Sequence, residues 1–391
     1  MEECISNLKW VVGGVELRVK KMRKIKSKEK IKNLFFKAQE VKIGEGFPAE
    51  FRQNPVSLDW VIIATGRAKR PSQFKKEKKK EKPPSPKNCP FCDVKNLASQ
   101  KPVFIYLKDK KIKGSWESPL EEIPKDWQVI SIPNKYPALF PAVSLKKETK
   151  GIYQKIDGVG FHEVVIFKDH WHQIADLEEK QVFRIIDTYK ERFLDLKRYP
   201  FINYVAIFTN WGKEAGASVF HPHSQIIGMP IIDPDLNRSL KGAKNFYKKY
   251  KKCVHCEMIK ASLKEKERII FENKEFVVLA PFASTVAFEL RIYPKKHLSY
   301  FEEISLSQIK FLAEALKIAL FSLKKALNDP SYNFFIHSAP CDEEKRDYYH
   351  WHLEIYPKTS IWAGFELCTG IQISTIKPED AAKYLRKVLK L

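Results

Sequence analysis

The sequence predicts an α+β fold of two similar halves, in which antiparallel sheets carry packed helices. One observation is that β-rich runs flank a segment with apolar residues at helical spacing, and this order occurs twice along the chain. A second is that each copy has a CxxC motif, then a histidine after a strand, then two histidines one residue apart. Chance does not account for this matching order and its nearly matching spacing, so we predict an internal repeat.

The length of the chain also favours more than one domain. Its 391 residues exceed what one ordinary hydrophobic core requires. We predict a basic extension at 1–45, a first, catalytic half at 46–235 and a second half at 236–391. The extension shows little strand alternation, and we expect at most one helix in it. A lysine- and proline-rich segment at 75–87 is predicted to be a mobile connection.

The predicted elements follow in chain order. A turn at Asn54 and Pro55 precedes a β-rich run from Trp60 to Ala64. Further strands are predicted in WQVISIPNKYPALFP, GFHEVVIFKDH and INYVAIFTN, with a helix in LEEKQVFRIIDTYKERFLDLKRY before the last. The second half repeats this order with strands in FENKEFVVLAPFAS, VAFELRIYPKKH, YNFFIHSAP and YYHWHLEIYP, and a helix in LSQIKFLAEALKIALFSLKKAL.

Charge limits the classes of partner. The chain has 70 Lys and Arg against 47 Asp and Glu, a formal net charge of +23, which attracts polyanions and phosphorylated small molecules alike. Lysine runs are usually solvated surfaces, and no sheet face with aromatic and basic residues is recognisable. We therefore expect no nucleic-acid partner. A zinc-stabilised nucleic-acid-binding protein is the non-enzyme alternative.

Membrane association is not expected either. No apolar stretch approaches the roughly 18 residues of a membrane span, and the start of the chain lacks the pattern of a secretory leader. The sequence thus predicts a cytoplasmic protein.

Four of the seven cysteines form two CxxC pairs. In a reducing compartment this pattern favours metal over disulfide, and zinc takes four thiolate or imidazole ligands in a tetrahedron. No further cysteine pair follows within about twenty residues, so the remaining ligands must come from distant strands. The two predicted zinc sites are Cys89, Cys92, His170 and His221, and Cys253, Cys256, His297 and His350.

Other histidines compete with this assignment. His172 is an alternative to His170, but His170 follows its strand more directly and matches His297 in the repeat. His162 and His255 are interpreted as ordinary polar residues. Because a site filled by four protein ligands has no open position, we expect both metals to shape the fold and not to perform chemistry.

The segment FHPHSQIIG gives the strongest indication of chemistry. Strand alternation places His221, His223 and Gln225 on one face, and three polar side chains aimed together favour a functional role. Pro222 cannot donate to a strand ladder, so we predict that this strand lies at a sheet edge or beside an opening.

These motifs resemble those of a known family. FHPHSQIIG is similar to the HPHxQ motif of galactose-1-phosphate uridylyltransferases, which belong to the histidine-triad superfamily. FRQNP and GRAKRP resemble that family's amino-terminal substrate segment, TNWGKEAGAS matches the stretch ahead of HPH, and GFELCTGIQ with PEDAAKYLRKV resembles its carboxy-terminal segment. The paired CxxC plan looks still more like the branch that contains ADP-glucose phosphorylase. The resemblance implies two histidine-triad-like halves.

The resemblance also implies a nucleotidyltransferase of galactose metabolism, with His221 as a zinc ligand and His223 as the nucleophile. Attack on the α-phosphoryl group of a sugar nucleotide gives a nucleotidyl-His223 and releases sugar 1-phosphate, and a second sugar phosphate or phosphate then takes the nucleotide. The first expectation is UDP-glucose with galactose 1-phosphate. The alternative is an adenylyltransferase of the ADP-glucose phosphorylase type. Gln225 stands where the hydrolases have a third histidine, which implies transfer over hydrolysis.

Phosphoryl groups need donors aimed at their oxygens. The candidate donors are Gln225, Asn210, Ser218 and the backbone near Gly212 and Gly216. The match to GRAKRP implies that Arg67 and Arg70 make bidentate phosphate contacts.

The remaining sites rest on resemblance alone. Asn134 is expected to contact the ribose or base. Residues of the carboxy-terminal segment are expected to bind the hexose, across the subunit boundary of a possible homodimer: Phe365, Glu366 and Gln372. HWHLE has Leu353 and Glu354 where HPHSQ has serine and glutamine, so His352 is not expected to be a second nucleophile.

Overall fold

The computed structural model describes residues 10–12, 15–17, 49–67, 74, 84–342 and 344–390. The chain divides into two compact units, Met1–Glu50 and Phe51–Leu391.

The first unit contains a short antiparallel hairpin of β1 (Trp10–Val12) and β2 (Val15–Leu17), with Trp10 opposite Leu17. The weak alternation of the extension did not predict these strands, although their valines favour extended backbone. The rest of residues 1–45 lies outside the described residues, as does most of the lysine- and proline-rich segment at 75–87. The mobility predicted for that segment is therefore not tested.

The second unit is built on one eleven-stranded antiparallel sheet. From one edge to the other its strands are β13 (Ile269–Glu272), β14 (Phe276–Leu279), β15 (Leu290–Pro294), β17 (His352–Pro357), β16 (Tyr332–His337), β11 (Tyr204–Trp211), β12 (His223–Met229), β10 (Phe161–Phe167), β7 (Val129–Pro133), β5 (Phe104–Tyr106) and β6 (Lys111–Lys113).

The strand order is repeated outward from the central pair of β11 and β16. On one side follow β12, β10, β7 and β5, and on the other β17, β15, β14 and β13. β12 and β17 hold corresponding places and begin at the second histidines of HPH and HWH. The predicted α+β fold with a repeated half is confirmed. The domain boundaries at residues 45 and 235 stay predictions.

The predicted edge position of the HPHSQ strand is wrong, because β12 lies between β10 and β11 inside the sheet. Its first residue is His223. Pro222 therefore precedes the strand and removes no hydrogen bond from the ladder, so a central position is compatible with it.

Seven helices of four residues or more lie in the described part of the chain. They are α1 (Val94–Ser99), α2 (Glu179–Leu196), α3 (Pro234–Tyr250), α4 (Val254–Glu265), α5 (Leu306–Leu327), α6 (Gly364–Thr369) and α7 (Pro378–Leu389). The long helix α5 begins at Ser305, which forms a capping box with Gln308. None of the described helices has the length and apolar composition that a membrane span requires.

The two long helices α2 and α5 pack against one face of the large sheet, and their apolar residues form one core with it. The hydroxyls of Ser224 in β12 and Tyr189 in α2 share a hydrogen bond, and Ile226 lies in the same core. Because side chains alternate along a strand, His223 and Gln225 point to the opposite face, away from these helices.

Two smaller sheets complete the second unit. The first has the order β18 (Gln372–Ser374), β4 (Trp60–Ile63) and β3 (Glu50–Gln53), and β18 runs parallel to β4. Because β4 lies between β18 and β3, this sheet joins the carboxy-terminal segment to the FRQNP region. The second is a hairpin of β8 (Lys147–Lys150) and β9 (Tyr153–Ile156).

Candidate functional site

The structure brings the first predicted set of metal ligands together. A backbone turn from Cys89 to Cys92 (N···O 3.1 Å) presents two thiols to histidines from distant segments. The Nδ1 atom of His221 lies 3.5 Å from the sulfur of Cys89 and 3.3 Å from that of Cys92. Nδ1 of His170 lies 3.2 Å from the Cys92 sulfur and 3.2 Å from Nδ1 of His221.

These separations fit a tetrahedral zinc ion. With Zn–S bonds of about 2.3 Å and Zn–N bonds of about 2.0 Å, the edges of such a site measure about 3.3 to 3.8 Å. The Nε2–H of His221 donates to the carbonyl oxygen of Phe167 at 2.6 Å, and that of His170 to Pro84 at 2.9 Å. Both Nδ1 lone pairs are thereby left to face the sulfurs, which is the arrangement of metal-ligating imidazoles.

The competitor His172 is not part of this cluster. Its Nδ1 lies 2.9 Å from Oδ2 of Asp169, and the side chain is exposed. The choice of His170 over His172 agrees with this geometry.

The second predicted set is also assembled. Cys253 caps the start of α4, and Cys256 lies in its first turn. The Cys256 sulfur lies 3.3 Å from Nδ1 of His297 and 3.5 Å from Nδ1 of His350. The ligand atoms of all four residues lie within 4.8 Å of one another, as do those of the first cluster. Two thiols and two imidazoles at these separations fit zinc in both clusters.

The imidazole of His223 is buried beside the first cluster. His223 is only 7% exposed to solvent. Its Nδ1–H donates to the carbonyl oxygen of His221 at 2.8 Å. Phe91, inside the first CxxC turn, lies edge-on to the ring with centroids 5.1 Å apart. Burial lowers the pKa of His223, so the neutral ring is favoured near neutral pH. Its Nε2 atom has no hydrogen-bond partner among the residues that the structure describes.

Gln225 lies on the same face of β12, and a histidine that the sequence did not assign to the site contacts it. Oε1 of Gln225 is 2.8 Å from Nε2 of His162 in β10. The other ring nitrogen of His162 accepts the backbone N–H of Ala138 at 3.1 Å, and Asn134 lies 3.1 Å from its Nε2. The interpretation of His162 as an ordinary polar residue overlooked this contact. Only the pairing of β10 with β12 brings the two residues together, and no local motif indicates it.

The corresponding histidine of the second half has different surroundings. Nδ1 of His352 lies 3.1 Å from the His350 carbonyl oxygen, but its Nε2 lies 3.2 Å from Oε1 of Glu354. The same carboxylate oxygen is 2.9 Å from Arg291. Burial alone would raise the pKa of Glu354, but the Arg291 guanidinium and the neighbouring imidazoles hold it well below its usual range. Nε2 of His352 therefore faces a carboxylate, whereas Nε2 of His223 has no such neighbour among the described residues.

Asn210 lies in β11, the strand that pairs with β12. Its side chain accepts a hydrogen bond from Asn333 at 2.8 Å and lines a cavity of about 440 Å³ whose other walls include His352 and Gln372. Phe208, two residues earlier in β11, is opposite Gln225, so Asn210 also shares the face of β12 that carries the HPHSQ side chains.

The loop before HPH holds two further candidates. Gly212 has φ +81°, and a Cβ there would lie 2.3 Å from the Ser331 hydroxyl oxygen, so a side chain is excluded. Ser218 is exposed. Arg67 ends a short turn, Thr65–Arg67, and its side chain is outside the described part, as is Arg70 entirely.

The carboxy-terminal candidates lie in α6 and β18, outside the large sheet that carries His223. Phe365 and Glu366 are in α6, where Phe365 is 44% exposed and Glu366 accepts the backbone N–H of Ala363. Gln372 is in β18 beside β4. Among the described residues, no hydrogen bond joins any of the three to His223.

Comparisons with known proteins agree with these motifs. The model of the galactose-1-phosphate uridyl transferase N-terminal domain matches residues 46–232, and that of a domain of unknown function (DUF4921) matches residues 158–390. A galactose-1-phosphate uridylyltransferase from Thermotoga maritima is 30% identical over 350 residues, covering 86% of this chain and 98% of that protein. The chain belongs to the galactose-1-phosphate uridylyltransferase family.

The family includes a second kind of activity. An ADP-glucose phosphorylase from Arabidopsis thaliana is 36% identical over 345 residues, covering 87% of this chain and 93% of that protein. The crystal structure of an ADP-glucose phosphorylase from Arabidopsis thaliana with bound ADP-glucose has a TM-score of 0.70 at 34% identity, covering 87% of this chain and 99% of that one. This uridylyltransferase-family chain is therefore a transferase of the nucleotidyltransferase and phosphorylase class.

Proposed function

We propose that this protein transfers a nucleoside monophosphate from a sugar nucleotide through a covalent intermediate on His223. The observation that carries the proposal is the hydrogen bond from Nδ1 to the His221 carbonyl oxygen. A carbonyl can only accept, so the proton resides on Nδ1 and the Nε2 lone pair is free to attack phosphorus.

The first half-reaction forms one bond and breaks one. The Nε2 lone pair of His223 bonds to the α-phosphorus, and the bond from that phosphorus to the bridging oxygen breaks. Sugar 1-phosphate leaves with the electron pair. Nδ1–H stays on the imidazolium, where the His221 carbonyl oxygen stabilises the positive charge. In the second half-reaction an oxygen of phosphate or of a hexose 1-phosphate attacks the same phosphorus and returns the electron pair to Nε2.

We propose one such site per chain. His352 has the same Nδ1 contact as His223, but its Nε2 atom faces Glu354. A carboxylate at this position favours a proton on the nitrogen that would attack, which removes its lone pair, and its charge repels a phosphoryl group. Glu354 therefore supports the absence of a second nucleophile.

The two Cys/His clusters are proposed to hold zinc. The ligands are Cys89, Cys92, His170 and His221 in the first cluster, and Cys253, Cys256, His297 and His350 in the second. Bound zinc supplies a cross-link between distant strands, since four protein ligands leave no open coordination position. The first cluster keeps Phe91 against the ring of His223 and fixes the His221 carbonyl that orients it.

For the donor we propose ADP-glucose, with phosphate as the acceptor. Its support is the greater identity to the ADP-glucose phosphorylase, 36% against 30% for the uridylyltransferase from Thermotoga maritima. Transfer from UDP-glucose to galactose 1-phosphate, the first expectation from the motifs, is the second candidate, since 98% of that uridylyltransferase is matched.

The hexose contacts are proposed to come from a second copy of the chain. Phe365 is 44% exposed on α6, and among the described residues no hydrogen bond joins it or Gln372 to His223. Arg67, Arg70 and Asn134 stay predicted contacts to phosphate and nucleoside.

The decisive experiment is intact-protein mass spectrometry after mixing with ADP-glucose or UDP-glucose in separate samples. We expect the mass to rise by one AMP group with ADP-glucose, and the donor that leaves its nucleotide identifies the substrate. His223→Ala should abolish both the adduct and nucleotide exchange, while zinc content remains at the wild-type value.

The matched control is His352→Ala, the same change at the corresponding position of the second half. It should keep the adduct. An adduct that persists in His223→Ala, or that disappears only in His352→Ala, would show that the nucleophile is misassigned.

A further inference from the structure

We propose that His162 is a positioning residue, which fixes the side-chain amide of Gln225 so that its NH2 group faces the phosphoryl group undergoing transfer. This inference rests on the proposed function of His223. It concerns a residue that no motif distinguishes and that reaches the site only through the pairing of β10 with β12.

The tautomer of His162 is determined by its backbone partner. Nδ1 lies 3.1 Å from the backbone nitrogen of Ala138, which can only donate. Nδ1 must therefore carry a lone pair, and the ring proton resides on Nε2. Burial lowers the pKa of His162, which agrees with a neutral ring.

The protonated Nε2 then orients Gln225. Its N–H donates to Oε1 of Gln225 at 2.8 Å. If the amide turned over, its NH2 would meet the N–H of His162 and this hydrogen bond would be lost. The amide is thus held with its oxygen toward His162, and its NH2 group has no hydrogen-bond partner among the residues that the structure describes. Gln225 is two residues after His223 on the same strand face, so these donors lie on the side where the phosphoryl oxygens arrive.

The same ring lies against the segment expected to contact the nucleoside. Asn134 Oδ1 accepts the backbone N–H of Tyr136 at 2.9 Å, which places Nδ2 at 3.1 Å from Nε2 of His162. Both atoms are donors in this tautomer, so the contact is not a hydrogen bond. His162 therefore lies between residues 134–138 and Gln225, with one specific bond to each side.

The second half shows what the position becomes without this arrangement. There Glu354 takes the place of Gln225 and is bound by Arg291 and His352. Glu354 is a carboxylate, so this position in the second half has no amide that could donate to a ligand. The His162–Gln225 pair thus occurs beside His223, whose Nε2 is free among the described residues. The ion pair of Glu354 with Arg291 occurs beside His352.

Two variants that carry the same amide group separate positioning from structural support. His162→Asn can accept the Ala138 N–H with its short side chain but cannot reach Gln225. His162→Gln is long enough to donate to Gln225 Oε1. The measurement is the rate of nucleotidyl-His223 formation at saturating ADP-glucose and at saturating UDP-glucose, by rapid quench and mass spectrometry.

We expect His162→Asn to slow adduct formation roughly tenfold to hundredfold, which is less than the roughly hundredfold to thousandfold loss when an oriented donor is removed outright. His162→Gln should stay within a few-fold of wild type. A structural role through Ala138 predicts the reverse order. The reverse order, or equal rates in both variants, would overturn the proposal.

A double-mutant cycle gives an independent measure. If His162 acts through Gln225, His162→Asn should cause no further slowing in a Gln225→Ala background. A full additional slowing there would show that His162 acts by another route. A wild-type chain that forms no adduct with either donor overturns the proposed function and this inference together, whereas a wild-type adduct with unaffected variants overturns only the inference.

Discussion

At the residue scale, two histidines at corresponding positions differ because of the residue two places later. In both His223 and His352, Nδ1 faces the carbonyl oxygen of the histidine two residues earlier. Gln225 turns aside to His162, whereas Glu354 bonds to the Nε2 of its own histidine. One side chain thus decides whether an imidazole lone pair is available.

The metal ligands allow a prediction at the same scale. His170→Ala should lose the zinc of the first cluster, because the site would keep only three ligands and His170 faces both Cys92 and His221. His172→Ala is the matched control, since His172 is exposed and bound to Asp169. The measurement is zinc per chain by elemental mass spectrometry. Loss of metal in His172→Ala with retention in His170→Ala would contradict the ligand assignment.

At the element scale, β10 has a different role on each of its faces. His162 points toward Gln225, and its neighbour Glu163 points to the helix side, where it is fully buried. Arg192 of α2 bonds both carboxylate oxygens of Glu163, at 2.8 and 2.7 Å, and Ser131 of β7 donates to one of them at 2.9 Å. This ion pair holds β10 to α2 and so fixes the strand that positions His162.

We expect Arg192→Met to lower the free energy of unfolding by about 3 to 5 kcal/mol, because it leaves the charge of Glu163 buried without its partner. Urea unfolding monitored by circular dichroism measures the change. Arg198→Met is the control, since Arg198 is 64% exposed in its ion pair with Asp195, and its effect should stay within about 0.5 kcal/mol. Equal effects of the two variants would contradict the importance of the buried pair.

At the scale of the whole molecule, the carboxy-terminal segment exposes apolar side chains. Ile361 is 93% exposed, Leu367 73% and Trp362 50%. Adjacent exposed apolar residues of this kind mark interaction surfaces. Since the predicted hexose ligand Phe365 lies among them, this surface supports the proposed second copy.

We expect the protein to sediment as a dimer at micromolar concentration. Leu367→Asp should weaken the dimer and lower nucleotide exchange in parallel, because a charge at an apolar contact is desolvated without a partner. Val143→Asp is a matched control on another exposed apolar side chain. Analytical ultracentrifugation with an exchange assay tests this, and a monomer with full exchange activity would refute it.

The sequence by itself determined the repeat, the α+β class and the candidate metal ligands. Each of these follows from residue order, because strand and helix periodicity is local and a CxxC turn places two sulfurs together wherever it occurs. The repeat then matched histidines between halves, which favoured His170 over His172.

Only the tertiary structure decided how strands from distant segments are registered. The central position of β12, the bond of His162 to Gln225 and the burial of Glu163 beneath Arg192 all depend on which strand pairs with which. Alternation along one strand tells which residues share a face, but it does not tell what that face meets. Pairing between distant segments results from packing of the whole core, and that information is spread over the entire chain.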